Sequence, residues 1–508
     1  MAVPEAEAGH EPELKHDAIG FLDALVIGLA STAPAYSLAA VLGTVTVVVG
    51  FQAPGALLAS FVPMFLIATA FYYMNRADPD AGTTFSWVTR TLGPWAGWLG
   101  GWAIATTGIL VIGSLADVGA RYTYLLFGWD SAADSTAAVV SLAVAIIVVM
   151  TGICILGTEL SARLQDVMIV GQVGALLLFA GVALWKVGTD DASAASVDPE
   201  LSWFSPFAGD SSSALISALL IGVFIYWGWE SAVNLTEETT DSRRAPGLAA
   251  VVSTVVLVVT YVAVTTAVVA FAGLEALAEF DDDEGVFGFL AADVLGTPWD
   301  KLVVLAIVTS AIASTQTTII PASRTTMSMG RADALPHRFA SVHPRYRTPA
   351  FSTAVVAALA IAWYVPSVLL SENFLFDTLS ALSLMIAFYY ALSGIACVVY
   401  YRHQLTRSVK NLVFMGLAPL TGAAILTFLF VRSGLDLADP DASYTGGSVL
   451  GVGTPLAIGV LFLALGAVLV VLWRLDGHER FFSRRPFEAA GEPVLPDEAA
   501  ADGGNVRP

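Results

Sequence analysis

The sequence predicts an all-α polytopic membrane protein. The expected architecture is twelve transmembrane helices in a five-plus-five inverted repeat, with discontinuous helices 1 and 6. Three observations carry this expectation. First, the 508 residues are 56% hydrophobic and only 13% charged, where a soluble chain carries about 25% charged residues; the mean hydropathy is +0.74. Second, apolar runs of about 20 residues recur, each long enough to cross a hydrocarbon core of ~30 Å. Third, two of these runs carry helix breakers at their centres, Pro34 in one and Gly228 in another.

Residues 1–18 are polar and acidic and read as an N-terminal tail, without the apolar region of a cleavable signal. The spans follow at 19–49, 54–75, 94–126, 135–157, 164–188, 213–238, 247–273, 301–329, 350–370, 375–400, 411–432 and 452–474. Twelve spans put both termini on one face. Nineteen of the 23 Lys and Arg residues fall on that face, against Arg121, Lys186, Lys301 and Arg432 on the other. The excess of basic residues in cytoplasmic loops places both termini in the cytoplasm, with the protein in the plasma membrane. The segment 274–300, with its apolar run Val286–Leu295, is expected to form short helices over the outer mouth. The Glu-, Ala-, Gly- and Pro-rich tail after Arg485 is expected to be disordered.

The net charge is −20, with acids crowded into polar segments such as Asp281 to Glu284. Such a surface is either a set of solvated loops or the surface of a halophilic protein kept soluble in high salt. Cys154 and Cys397 both lie in apolar segments, which points to neither a disulfide framework nor a metal site.

The first break reads Ile27-Gly28-Leu29-Ala30-Ser31-Thr32-Ala33-Pro34-Ala35-Tyr36. Proline inside a helix removes a donor and clashes with the preceding turn. Within a bilayer such a break persists only where the freed backbone groups meet protein, water or a ligand. The sixth span carries Tyr226-Trp227-Gly228-Trp229-Glu230 at its centre. Pro54-Gly55 opens the span after the first break, 20 residues beyond Pro34, and Pro246-Gly247 opens the span after the second, 18 beyond Gly228. Interrupted segments at matching places in two oppositely oriented halves point to a binding site between them. The same dipeptides also open ordinary helices.

Four stretches resemble the amino acid–polyamine–organocation superfamily of permeases. They are Gly28–Tyr36; Pro79–Trp87 running into Gly93–Trp98 and Gly100-Gly101-Trp102; Phe224–Glu230 with Glu237-Glu238 and Arg243–Gly247; and Arg324, Arg331, Ala334-Leu335-Pro336 and His343-Pro344. The resemblance implies a ten-helix inverted-repeat transporter core over 19–400 and two peripheral helices over 411–474. The segment 475–508 would be a cytoplasmic tail. It also implies uptake or exchange of amino acids or related amines.

A zwitterion needs donors for its carboxylate and acceptors for its ammonium. A helix N-terminus supplies N–H groups and a partial positive charge, so Ser31, Thr32 and Ala33 are the candidate carboxylate site. The alternative is a proline kink whose hydroxyls bond back to the helix. Carbonyls near Trp227 and Gly228 are candidate acceptors for the ammonium, and Gly228 tolerates the dihedrals a break needs. Phe224 and Trp227 are a candidate aromatic wall, Phe224 resembling the gating aromatic of similar permeases; ordinary packing is the other reading. Glu230 is the only acid in the centre of span six, and an intramembrane carboxylate is costly and by default functional. It resembles a proton-linked residue or a brace for the break.

Span five holds Gln172 where proton-coupled relatives often place a lysine. Span eight reads Ala311-Ile312-Ala313-Ser314-Thr315, which puts Ala311, Ser314 and Thr315 on one face. Hydroxyl and carbonyl oxygens suit a hard cation. Sodium-coupled transporters of similar architecture place a small residue and two hydroxyls at this spacing, and the resemblance thus implies a candidate Na+ site formed by Ala311, Ser314, Thr315 and the carbonyls of Ile27 and Ala30. The same small residues also serve close helix packing. Na+ as coupling ion is the one cofactor expected. The expected partners are a small-molecule substrate and the lipid bilayer, with no nucleic acid, and the oligomeric state is open.

Asp117 and Arg121, four residues apart, are placed to pair. Glu237 and Glu238 are placed either to latch onto Arg243 and Arg244 or to sit solvated beside them. A channel or a substrate sensor is compatible with the same architecture. An enzyme is not expected, since His337, His343, His403 and His478 fall in loops or tails away from any nucleophile.

Overall fold

A computed structural model describes residues 13–192, 195–209, 211–278, 286–371 and 373–484. The acids Asp281 to Glu284 and the tail after Arg485 lie outside the described residues. The chain is helical almost throughout. In order the helices are α1 (Phe21–Ser31), α2 (Pro34–Val49), α3 (Ala53–Ala77), α4 (Thr84–Leu92), α5 (Pro94–Leu126), α6 (Asp130–Ala133), α7 (Thr136–Leu156) and α8 (Thr158–Gly188). There follow α9 (Ser212–Ile225), α10 (Ser231–Asn234), α11 (Ala245–Leu277), α12 (Val286–Leu295), α13 (Lys301–Arg331), α14 (Ala350–Leu370) and α15 (Phe374–Tyr400). The last are α16 (Val409–Asn411), α17 (Ala418–Asp436), α18 (Thr454–Leu475) and α19 (Glu479–Phe482). A two-stranded antiparallel turn, β1 (Ser448–Val449) with β2 (Val452–Gly453), precedes α18.

Ten stretches among the described residues are long and apolar enough to cross a membrane, so this is a multi-pass membrane protein. The first of them, Phe21–Ala77, has 57 residues. As one rod at 1.5 Å per residue it would measure about 85 Å, far more than a bilayer, and it turns back at the 3₁₀ segment Gly50–Gln52. Proline opens α2, α3, α5, α11, α17 and α18 within their first two residues, where its missing N–H costs nothing.

Burial separates centre from periphery. The most apolar window of α5 is 89% buried and that of α13 is 83%, against 22% for α18. The helices α5 and α13 pack along each other at the middle. Around them, α11 packs on α1, α3 and α8, and α15 packs on α3, α5 and α17. A second face of α15 holds α18, which is also tied to α5 by Trp102 Nε1 donating to the Phe462 carbonyl at 2.8 Å.

Three expectations are adjusted here. The seventh span does not end at Gly273: the chain kinks there, at φ 71°, and continues helical to Leu277. Val286–Leu295 is one helix, α12, with its apolar face (Val286, Phe287, Leu290, Ala291, Val294) buried against α8, α13 and α2. The sixth segment is a long helix only before its break. After the break it is the single turn α10 and a 3₁₀ turn at Thr236–Glu238. Here the backbone is held by tertiary bonds instead: Ala18 N–H and Ile19 N–H both donate to the Glu238 carbonyl.

Candidate functional site

Both predicted breaks are present. Helix α1 ends at Ser31, and Thr32 N–H and Ala33 N–H turn back to the carbonyls of Leu29 and Ala30 at 3.2 and 3.1 Å. Ala33 then adopts φ 48°, ψ 62°, a left-handed conformation that costs a non-glycine residue about 1–3 kcal/mol. Pro34 starts α2. The hydroxyl of Thr32 donates to the Leu29 carbonyl and that of Ser37 to the Thr32 carbonyl, both at 2.7 Å. At the other break Gly228 has φ 118°, and its N–H donates to Glu230 Oε2 at 3.1 Å.

The two breaks touch. A Cβ on Gly228 would lie 2.5 Å from the Ser31 carbonyl oxygen and 3.0 Å from Thr32 N, so only glycine allows this approach. Beside it the hydroxyls of Ser31 and Ser231 are 2.7 Å apart. Ser314, on α13, donates to the Ser31 carbonyl at 3.0 Å. Three segments far apart in sequence therefore converge on one peptide group.

Ser31, Thr32, Ala33, Phe224 and Trp227 line one narrow void of about 10 Å³, together with Tyr36, Ser37, Val111, Leu115 and Ser314, about the room of a single water. Gly228 forms the contact behind that void, and Glu230 does not line it. Glu230 is 1% exposed. Its Oε1 accepts from Tyr389 and its Oε2 from Tyr390 and from Gly228 N–H. Trp227 Nε1 in turn donates to the Tyr389 hydroxyl. Tyr36, Val111, Leu115 and the Tyr389-Tyr390 pair escape a reading by local motif. The pair's one signal was two adjacent tyrosines in the middle of an apolar span.

Of the candidate cation residues, Ser314 lines this void. Ile27, Ala30, Ala311, Ser314 and Thr315 are all buried. Thr315 Oγ1 donates to the Ala311 carbonyl at 2.8 Å, one turn back on its own helix. Gln172 is fully buried, and neither end of its amide meets a protein partner.

A second void, of about 50 Å³, lies on the side opposite the termini, between α2, α9 and α15. Phe224 lines both voids and so stands between them. Tyr444 lines the outer one. It is positioned by the fully buried Asp377, whose carboxylate accepts from Tyr444 N–H at 2.8 Å and from the hydroxyls of Ser443 and Thr445 at 2.9 and 2.7 Å.

The terminus side is closed by ion pairs, and for Glu238 these correct both readings, the latch onto Arg243 and Arg244 and the solvated side chain beside them. Glu238 pairs not with Arg243 or Arg244 but with Arg324, whose Nε and Nη2 donate to Oε1 at 3.0 and 2.9 Å; both residues are buried. Thr158 completes the cluster by donating to Oε2. Glu237 pairs with Arg331 at 2.8 Å, and Arg243 donates instead to the carbonyls of Arg76 and Ala77. Nearby, burial and then the Glu237 carboxylate raise Asp80 above the ordinary carboxylate range, although the bonds it accepts from the Ser86 hydroxyl and Gly82 N–H, and then the charge of Arg331, pull the other way. Asp117 accepts from Tyr364 Oη at 2.5 Å, a contact between α5 and α14.

Residues 19–462 match a family model described as amino acid permease. An uncharacterized transporter of Mycobacterium tuberculosis is 27% identical over 68% of this chain and 72% of its own. A methylthioribose transporter of Bacillus subtilis is 23% identical over 73% and 78%. A low-affinity putrescine importer of Escherichia coli is 21% identical over 83% and 85%. The crystal structure of MhsT in complex with L-phenylalanine superposes with a TM-score of 0.56 at 13% identity, covering 80% of this chain and 98% of that one. This likeness speaks for the fold.

Proposed function

The chain belongs to the amino acid permease family and is a membrane transporter; from that premise we propose that it is a secondary active transporter of an amino acid or related amine. The observation that carries this reading is the meeting of the two helix breaks at the Ser31–Gly228 contact. It sits beside a small void, with a vestibule on one side and ion pairs on the other. In this reading the substrate carboxylate rests against the start of α2, near Ser31, Thr32 and Ala33. The ammonium rests against carbonyls near Trp227 and Gly228. Phe224 and Trp227 cover the substrate, and Glu230 braces the second break. Opening alternates between the Phe224 side and the Glu238–Arg324 side.

Two crossings for Phe21–Ala77 and one for the broken segment 212–234 bring the count to twelve. The core then divides into two inverted five-helix units followed by two peripheral helices. The basic residues favour cytoplasmic termini and the plasma membrane. Uptake is coupled to Na+ held by Ser314 and Thr315 with the carbonyls of Ala311, Ile27 and Ala30; hydroxyl and carbonyl oxygens fit a hard monovalent cation. The buried Glu230 favours a second reading, proton-coupled transport or exchange.

Labelled-substrate uptake into proteoliposomes under an imposed Na+ gradient, and separately under a pH gradient, tests both readings. Na+-driven accumulation that is lost in the folded Ser314→Ala/Thr315→Ala variant supports the cation site. Accumulation driven only by the pH gradient removes it. Flux that neither saturates nor supports counterflow points to a channel, and binding without flux points to a sensor.

A further inference from the structure

We infer that the carried solute is a zwitterion with an apolar, uncharged side chain, and not a polyamine or a cationic amino acid. The inference rests on the transport reading above and narrows its substrate class. It begins with the residues that line the void at the breaks, which are of two kinds. Ser31, Thr32 and Ser37 at the first break, with Ser314 from α13, bring small hydroxyls. Val111 and Leu115 from α5, with Phe224 and Trp227, bring apolar surface. The hydroxyls and the backbone beside them suit one compact zwitterionic head. The apolar lining offers a side chain hydrocarbon and ring faces.

No described residue lining the void carries a charge. The nearby carboxylate, Glu230, is taken: Tyr389, Tyr390 and Gly228 N–H occupy its two oxygens. Trp227, which lines the void, is bonded to the same tyrosine. A second positive charge in this void would lose its water without gaining a counter-ion, and an unpaired buried charge is strongly disfavoured.

The approach route has the same character. The outer vestibule presents Leu220, Ile221, Phe376 and Leu379, with the hydroxyls of Ser380 and Ser383, and again no described charged side chain.

The test is counterflow with purified full-length protein in proteoliposomes preloaded with unlabelled L-leucine. Uptake of labelled L-leucine is measured against tenfold excess external L-phenylalanine, L-arginine or putrescine. Separate vesicles preloaded with arginine or putrescine are assayed for counterflow of the same labelled solute. The expected result is leucine counterflow suppressed at least fivefold by phenylalanine and less than twofold by arginine or putrescine. Arginine or putrescine competing as strongly as phenylalanine, or exchanging while leucine does not, overturns the substrate class and leaves the transport reading intact. Counterflow of none of these solutes overturns both. The variant Leu115→Asp, which adds a carboxylate to the apolar lining, is expected to raise arginine competition at least tenfold relative to phenylalanine. An unchanged ratio in folded protein argues against this wall as the selector.

Discussion

Replacing Gly228 by alanine probes the contact on which the site depends. The added methyl would sit 2.5 Å from the Ser31 carbonyl oxygen and 2.7 Å from its carbon. Ordinary contact begins near 3.4 Å, so the two breaks would have to separate by nearly 1 Å. Holding alanine at φ 118° adds about 1–3 kcal/mol, and overpacking a close contact adds about 1–3 kcal/mol. The expected loss is therefore about 2–6 kcal/mol, read as thermal destabilisation in detergent together with loss of substrate-induced stabilisation and of counterflow. Gly171→Ala is the matched control. That position lies on α8, where an added methyl meets nothing within 4 Å, and alanine favours a helix by up to ~1 kcal/mol. A Gly228→Ala protein that melts and transports like the parent would refute the idea that the contact builds the site.

Two further outcomes follow from the two closures. Glu238→Gln leaves Arg324 buried without its counter-charge, and breaking such a pair costs about 3–5 kcal/mol. The melting temperature should fall markedly in Glu238→Gln and recover in the double variant Glu238→Leu/Arg324→Met; equal losses in single and double variants would contradict this. Asp377→Asn converts one acceptor oxygen into a donor facing the Tyr444 loop, at about 1–3 kcal/mol. A Ser383→Cys reporter in the vestibule should then react several-fold faster with a membrane-impermeant maleimide. Both native cysteines are buried and give little background, and an unchanged rate would show that the Asp377 anchor does not govern access to this void.

What the sequence made legible was what short-range chemistry dictates. Pro34 after a run of small residues, and Gly228 among large aromatics, located both breaks. The hydroxyls of Ser31, Thr32 and Ser314 were visible as polar residues at membrane depth. What stayed hidden was pairing across long separations. Glu238 had nearby arginines at 243 and 244, and proximity along the chain favoured them. Its actual partner, Arg324, is 86 residues away and wins because packing of α13 buries both. Likewise nothing around Tyr389 and Tyr390 indicated that both hydroxyls aim at Glu230. The brevity of α10 was also not legible, because Leu235 to Glu238 has no strong helix breaker. The N-terminal segment at Ala18-Ile19 takes over its backbone bonding.

The hydroxyl link between Ser31 and Ser231 has a mechanical corollary. It ties the elbow of the first broken segment to the elbow of the second, so a movement that separates them must give this bond up. A carrier built this way has one shared joint in place of two independent ones. A single hydroxyl contact of this kind contributes about 0.5–1.5 kcal/mol, so parting the two elbows carries a small toll that a compact polar guest seated between them could refund.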